Sequence, residues 1–124
     1  MRRTRRDIEE RAFHLASDVI KFCDRKSATS TYATQRLYVQ LRDAVTSVGA
    51  NLEEAAAAQS KPDFVSKTSI ALKEARETLY WLRLLAESDD TLRSAIEPMR
   101  RESNEIVAIL TSIVRKARSN PHRG

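Results

Sequence analysis

Residues 37–60 read LYVQLRDAVTSVGANLEEAAAAQS, and this stretch decides the fold. It holds no proline, a single glycine (Gly49), and an alanine run from Ala55 to Ala58. Leu37, Leu41, Ala44, Val48, Leu52 and Ala55 recur at steps of three and four. At 3.6 residues per turn they share one helix face. Tyr38, Val45, Gly49 and Ala56 lie beside them and widen the apolar arc. The many small side chains let a neighbouring helix come close. The pattern predicts the central helix of an all-α bundle.

Composition agrees with that reading. A chain of 124 residues is expected to form one domain, 1–124. Its 41% apolar residues suffice for a core, and its 31% charged residues suit solvated outer faces. Two glycines and three prolines fit long helices better than a many-turned β fold. Cys23 is alone, so neither an internal disulfide nor a cysteine-based zinc site is expected. A lone thiol fits a reducing compartment, and the expected location is cytoplasmic. No apolar run follows the N-terminal arginines, so no secretory signal is expected, and no stretch approaches membrane-spanning length.

Outward from the central helix, the chain divides into four. Residues 1–6 read as a basic arm. Helix one is expected over 7–25, with a stripe of Ile8, Ala12, Leu15, Val19 and Phe22, while Phe13 and Ile20 fall off it. A Ser/Thr-rich connection, KSATSTYA, follows. Helix two is expected over 34–59 with Thr34 as N-cap. Ser60-Lys61-Pro62-Asp63 breaks the chain in a manner resembling a capping box. Helix three, 62–87, carries Phe64, Thr68, Ala71, Leu72, Ala75, Leu79, Leu82 and Ala86 on one face. Ile70, Trp81 and Leu84 lie nearly opposite, which calls for a second packing partner. Helix four, 91–118, has a seam of Leu92, Ile96, Met99, Ile106, Leu110, Ile113 and Ala117. Pro98 predicts a kink there, or a short helix before a longer one. Residues 119–124 read as a polar tail. Short connections favour antiparallel neighbours, hence an antiparallel up-down-up-down four-helix bundle.

The charge sits at the ends. Arg2, Arg3, Arg5 and Arg6 open the chain, and Arg115, Lys116, Arg118 and Arg123 close it, eight positive charges in all. The remaining 14 basic residues face 17 acids, so residues 7–114 carry a net charge of −3. The expected topology brings both ends, with Lys61, to one electropositive pole.

Two blocks carry a family resemblance. The first is Gln40-Leu41-Arg42-Asp43-Ala44-Val45-Thr46-Ser47-Val48-Gly49-Ala50-Asn51-Leu52-Glu53-Glu54. The second is Phe64, then Ser69-Ile70-Ala71 and Glu77. They resemble the four-helix-bundle family encoded by intervening sequences of bacterial 23S ribosomal RNA genes, which overlaps in fold with accessory variability proteins of diversity-generating retroelements. Gly49 stands where that family often has proline, Ala55 where it often has glycine, and an Arg-rich opening replaces an aromatic one. The resemblance implies a cytosolic, non-enzymatic bundle, often a ring of five, with suspected nucleic-acid or ribonucleoprotein association.

Candidate sites weigh against simpler readings. Glu10, His14 and Asp18 share a helix face and could hold a metal, but they also read as a solvated face, and no metal or cofactor is expected. Cys23 reads as a buried small hydrophobe rather than a nucleophile. Phosphate loops, dinucleotide fingerprints and nucleophile elbows are missing, so an enzyme is not expected. Ser47, Asn51, Glu54, Ser69 and Glu77 read as a hydrogen-bonded layer between helices two and three, or as helix-capping and subunit contacts, or else as a ligand site. Trp81, with Ile70, Leu84, Phe13 and Ile20, is the expected homo-oligomer interface, unless helix three rotates Trp81 into the core. The functional expectation is an oligomeric scaffold whose pole, Arg2, Arg3, Arg5, Arg6, Arg115, Lys116 and Arg118, binds RNA or DNA phosphates. The alternative is a protein-interaction adaptor without nucleic acid.

Overall fold

The structure, a computed structural model, describes the backbone of residues 5–119 and the side chains of residues 7–119. It is an all-α bundle of four long helices: α1 (Arg5–Lys26), α2 (Tyr32–Ala56), α3 (Lys61–Ser88) and α4 (Arg93–Arg118). Arg2 and Arg3, and the tail from Asn120, lie outside the described residues. Single 3₁₀ turns, Ser27–Thr29 and Asp90–Leu92, sit in the first and last connections.

The arrangement is antiparallel throughout. At one end Ile8, Leu52, Ala55, Phe64, Thr68 and Ile113 surround a small void, so α1 and α3 start where α2 and α4 finish. At the other end Lys26, Ser30, Tyr38, Ser88 and Leu92 meet. Each helix packs on its two neighbours, and the diagonal pairs α1/α3 and α2/α4 make no close backbone approach.

Several helix limits differ from the sequence expectation, each for a local reason. α1 already includes Arg5, inside the expected arm. α2 begins earlier because Thr31, not Thr34, is its cap. Thr31 is extended (φ −70°, ψ 164°), and its side chain accepts from the Thr34 amide at 3.3 Å. α2 stops at Ala56 rather than Gln59. Ser60 must be extended (φ −152°, ψ 163°) for its Oγ to accept the Asp63 amide at 3.2 Å and cap α3. A cap of this kind contributes about 1 kcal/mol. Pro98 lies inside one continuous helix, so the expected division into a short and a longer helix does not occur there. Pro98 is exposed and close to the helix start, and Ser94, whose carbonyl loses its bond, is exposed to water.

The core follows the stripes. Ile8, Ala12, Leu15, Val19, Phe22 and Cys23 of α1 are buried, as are Tyr38, Leu41, Ala44, Val45, Val48, Leu52 and Ala55 of α2. α3 buries Leu85 and Thr78 besides the expected Thr68, Ala71, Ala75, Leu82 and Ala86. Thr78 satisfies its hydroxyl by donating to the Glu74 carbonyl at 2.9 Å. α4 buries Ser103 and Val114 in place of Ile113 and Ala117. A straight helix drifts against a seven-residue repeat, so its last turns present Ile106, Leu110 and Val114.

Candidate functional site

The pole at the start of α1 and the end of α4 carries three exposed cations from the last turn of α4: Arg115, Lys116 and Arg118. Positive charge there complements the negative end of the helix dipole. None of the three has an ion-pair partner among the described residues. Arg5 and Arg6 belong to the first turn of α1. Lys61 begins α3 at the same end, while nearby Lys67 is engaged with Glu54 at 2.9 Å.

From this pole a cleft of about 450 Å³ runs up the seam between α3 and α4. Ser69, Lys73, Arg76 and Glu77 line it from α3, Arg118 from α4, and Leu72 and Val114 give it an apolar floor. The Arg118 Nη2 donates to Ser69 Oγ at 3.3 Å, which ties the end of α4 to the start of α3. Lys73 and Arg76 make no ion pair with a described residue. Further along the same seam two arginines of α4 are neutralised: Arg100 grips Glu97 (Nε to Oε2, 3.0 Å) and Arg93 holds Asp90 at 2.8 Å. That gripping holds the Glu97 carboxyl below its usual range, mainly through the Arg100 hydrogen bond.

A second concavity, about 500 Å³ and largely apolar, lies between α1 and α2. Phe13, Ala16 and Ile20 line it from α1, Gly49 and Ala50 from α2. Phe13 is 66% exposed and Ile20 37%. A Cβ built on Gly49 would meet nothing within 4 Å, so the glycine floors an open groove.

The expected interface residues thus fall on two separate faces. Phe13 and Ile20 are on α1, while Ile70, Trp81 and Leu84 are on the diagonal helix α3. Ile70 is exposed and Leu84 half-buried. Trp81 is half-buried against the core, with a buried Nε1 that has no hydrogen-bond partner.

The expected polar layer between α2 and α3 does not form. Asn51 donates to the Ser47 carbonyl of its own helix at 2.8 Å, and Ser69 and Glu77 turn to the α4 side. Of the five, Glu54 reaches the other helix, through Lys67. A helix-face assignment from one helix alone cannot say which of two neighbours a flanking residue meets.

Glu10 and His14 approach at 3.8 Å on an exposed face, and among the described residues no three His, Cys, Asp or Glu side chains converge. Cys23 is fully buried, and burial pushes its thiol from 9.0 up to about 11, against a smaller opposing pull from Arg42. No helix among the described residues is long and apolar enough to cross a membrane.

These features define a compact antiparallel helical scaffold with a basic end and unpartnered grooves. The chain belongs to the 23S rRNA-intervening sequence protein family, whose pattern matches residues 5–112. It is also similar to a crystallised protein of unknown function from the S23 ribosomal protein family of Bacteroides thetaiotaomicron VPI-5482. That protein is 33% identical, with a TM-score of 0.76, and the match covers 86% of this chain and 97% of that one. No curated protein matches the chain. Arg115, Lys116 and Arg118 lie just beyond the family match, whereas Ser69, Lys73 and Arg76 lie inside it.

Proposed function

We propose that this protein is a non-enzymatic, cytoplasmic, homo-oligomeric scaffold that binds RNA or DNA through the phosphate backbone at its basic pole. The observation that carries this reading is the trio Arg115, Lys116 and Arg118, exposed and unpaired among the described residues, at the end where α1 opens with Arg5 and Arg6. Unpaired cations grouped on one end attract a polyanion and release its counterions on binding. Arg2 and Arg3 precede Arg5 in the sequence and lie outside the described residues.

Assembly is supported by the two apolar faces. Two unlike patches on diagonal helices can each meet the other on a neighbouring copy. Such a head-to-tail contact closes into a ring when its rotation is right. Five copies is the number that the family resemblance implies.

Filter binding of the purified protein to generic RNA across a salt series tests the nucleic-acid reading. Binding at low salt that weakens steeply as salt rises is the expected result. The groove floored by Gly49 favours the second reading, an adaptor that docks proteins and no nucleic acid. RNA binding that is missing at low salt selects that alternative.

A further inference from the structure

The α3/α4 cleft offers more than charge. Ser69, Lys73, Arg76 and Tyr80 follow one another at steps of four, three and four, so they form one stripe along α3. Tyr80 is 53% exposed. Its ring meets Trp81 in a T-shaped contact at 5.0 Å. Trp81 packs against the core, so this contact holds the tyrosine in place. Tyr80 lies about 6 Å of helix rise beyond Arg76.

From this we infer that the cleft is a seat for single-stranded nucleic acid: Lys73, Arg76 and Arg118 hold backbone phosphates and Tyr80 stacks a base. The inference rests on the phosphate-binding reading and extends it from the pole into a defined groove. Three cations face a single lining carboxylate, Glu77, so the cleft favours an anion. The apolar floor of Leu72 and Val114 suits the carbon face of a sugar. Ser69 anchors Arg118 without neutralising it, which keeps the guanidinium charge free for a phosphate. An aromatic beside a cationic track is the usual platform on which unpaired bases stack. A duplex buries its bases in its own stack and cannot offer one to Tyr80. Further along the seam Arg93 and Arg100 of α4 are held by Asp90 and Glu97, whereas the exposed Arg83 continues the α3 stripe one turn beyond Tyr80.

The test is fluorescence anisotropy of a short labelled oligouridylate with the full-length protein and three sets of variants. Tyr80→Ala should weaken binding at least about fivefold, and Tyr80→Phe, which keeps the ring, should restore it. Lys73→Gln/Arg76→Gln should make the log–log salt dependence shallower by about 1 to 1.5, as two phosphate contacts are lost. Arg115→Gln/Lys116→Gln should weaken binding while leaving the Tyr80→Ala ratio unchanged. If the Arg115/Lys116 variant weakens binding but the Tyr80 and Lys73/Arg76 variants match wild type, the cleft is overturned and the pole reading stands. A duplex of the same length that competes as well as the single strand also overturns the cleft. If wild type binds nothing at low salt, the pole reading fails and this inference falls with it.

Discussion

Arg11 of α1 grips Glu102 of α4 through a two-pronged contact, with Nε to Oε2 at 2.8 Å and Nη2 to Oε1 beside it. The same Nη2 also reaches Glu105 at 2.8 Å. This bidentate pair fixes the register of the first helix on the last, a seam with few other polar ties. Arg11 is only 19% exposed, and the two carboxylates raise its pKa further above the range in which it could lose its proton. Arg11→Gln strips Glu102 of its partner in a half-buried setting. It should destabilise the fold by about 1–3 kcal/mol, read as a lower urea midpoint. An unchanged midpoint would show that the clasp contributes nothing net.

The packing pattern was legible before the structure because burial obeys periodicity. Every stripe residue expected on α1, from Ile8 to Phe22, is in the core. The same rule placed Phe13 and Ile20 outside it. The Arg11 clasp was not legible: its partners are about ninety positions away, and nothing local marks them. Nor was the α3/α4 cleft. Lys73 and Arg76 belong to α3, and only the packing of α4, with Val114 and Arg118, beside them makes a groove. Two cations and one ring on a single α3 stripe, Lys73, Arg76 and Tyr80, are readable from spacing alone.

Replacing Phe13 and Ile20 with glutamate should drop the light-scattering mass to that of a single chain. Neither side chain belongs to the core, so the helical circular dichroism should stay as in wild type. Retention of the wild-type mass would move the subunit contact away from the α1/α2 groove. A parallel measurement on Trp81→Ala tests the other face.

In the Phe13→Glu background, Gly49→Ala should raise the unfolding free energy by roughly 0.5–1 kcal/mol. Glycine in a helix interior costs that much relative to alanine, and the added methyl meets open space. A fall in stability would mean that the groove is filled.

Cys23 gives a pH signature. Its buried thiol keeps its proton up to about 11, whereas in the unfolded chain it ionises near 9.0. The folded state is therefore favoured by the protonated thiol below about pH 9, and this contribution is lost as pH rises from there through about 11. Cys23→Ala should flatten that segment of the stability profile. In the native wild type, iodoacetamide should label the thiol slowly at about pH 8 and rapidly once denaturant is added. Rapid labelling without denaturant would contradict the burial.

The most direct measurement is the affinity of the wild-type chain for a labelled single-stranded RNA between about 50 and 200 mM salt. The account predicts measurable binding at the low end and a straight, steep fall of log affinity against log salt. An affinity indifferent to salt, or none at the low end, would contradict it.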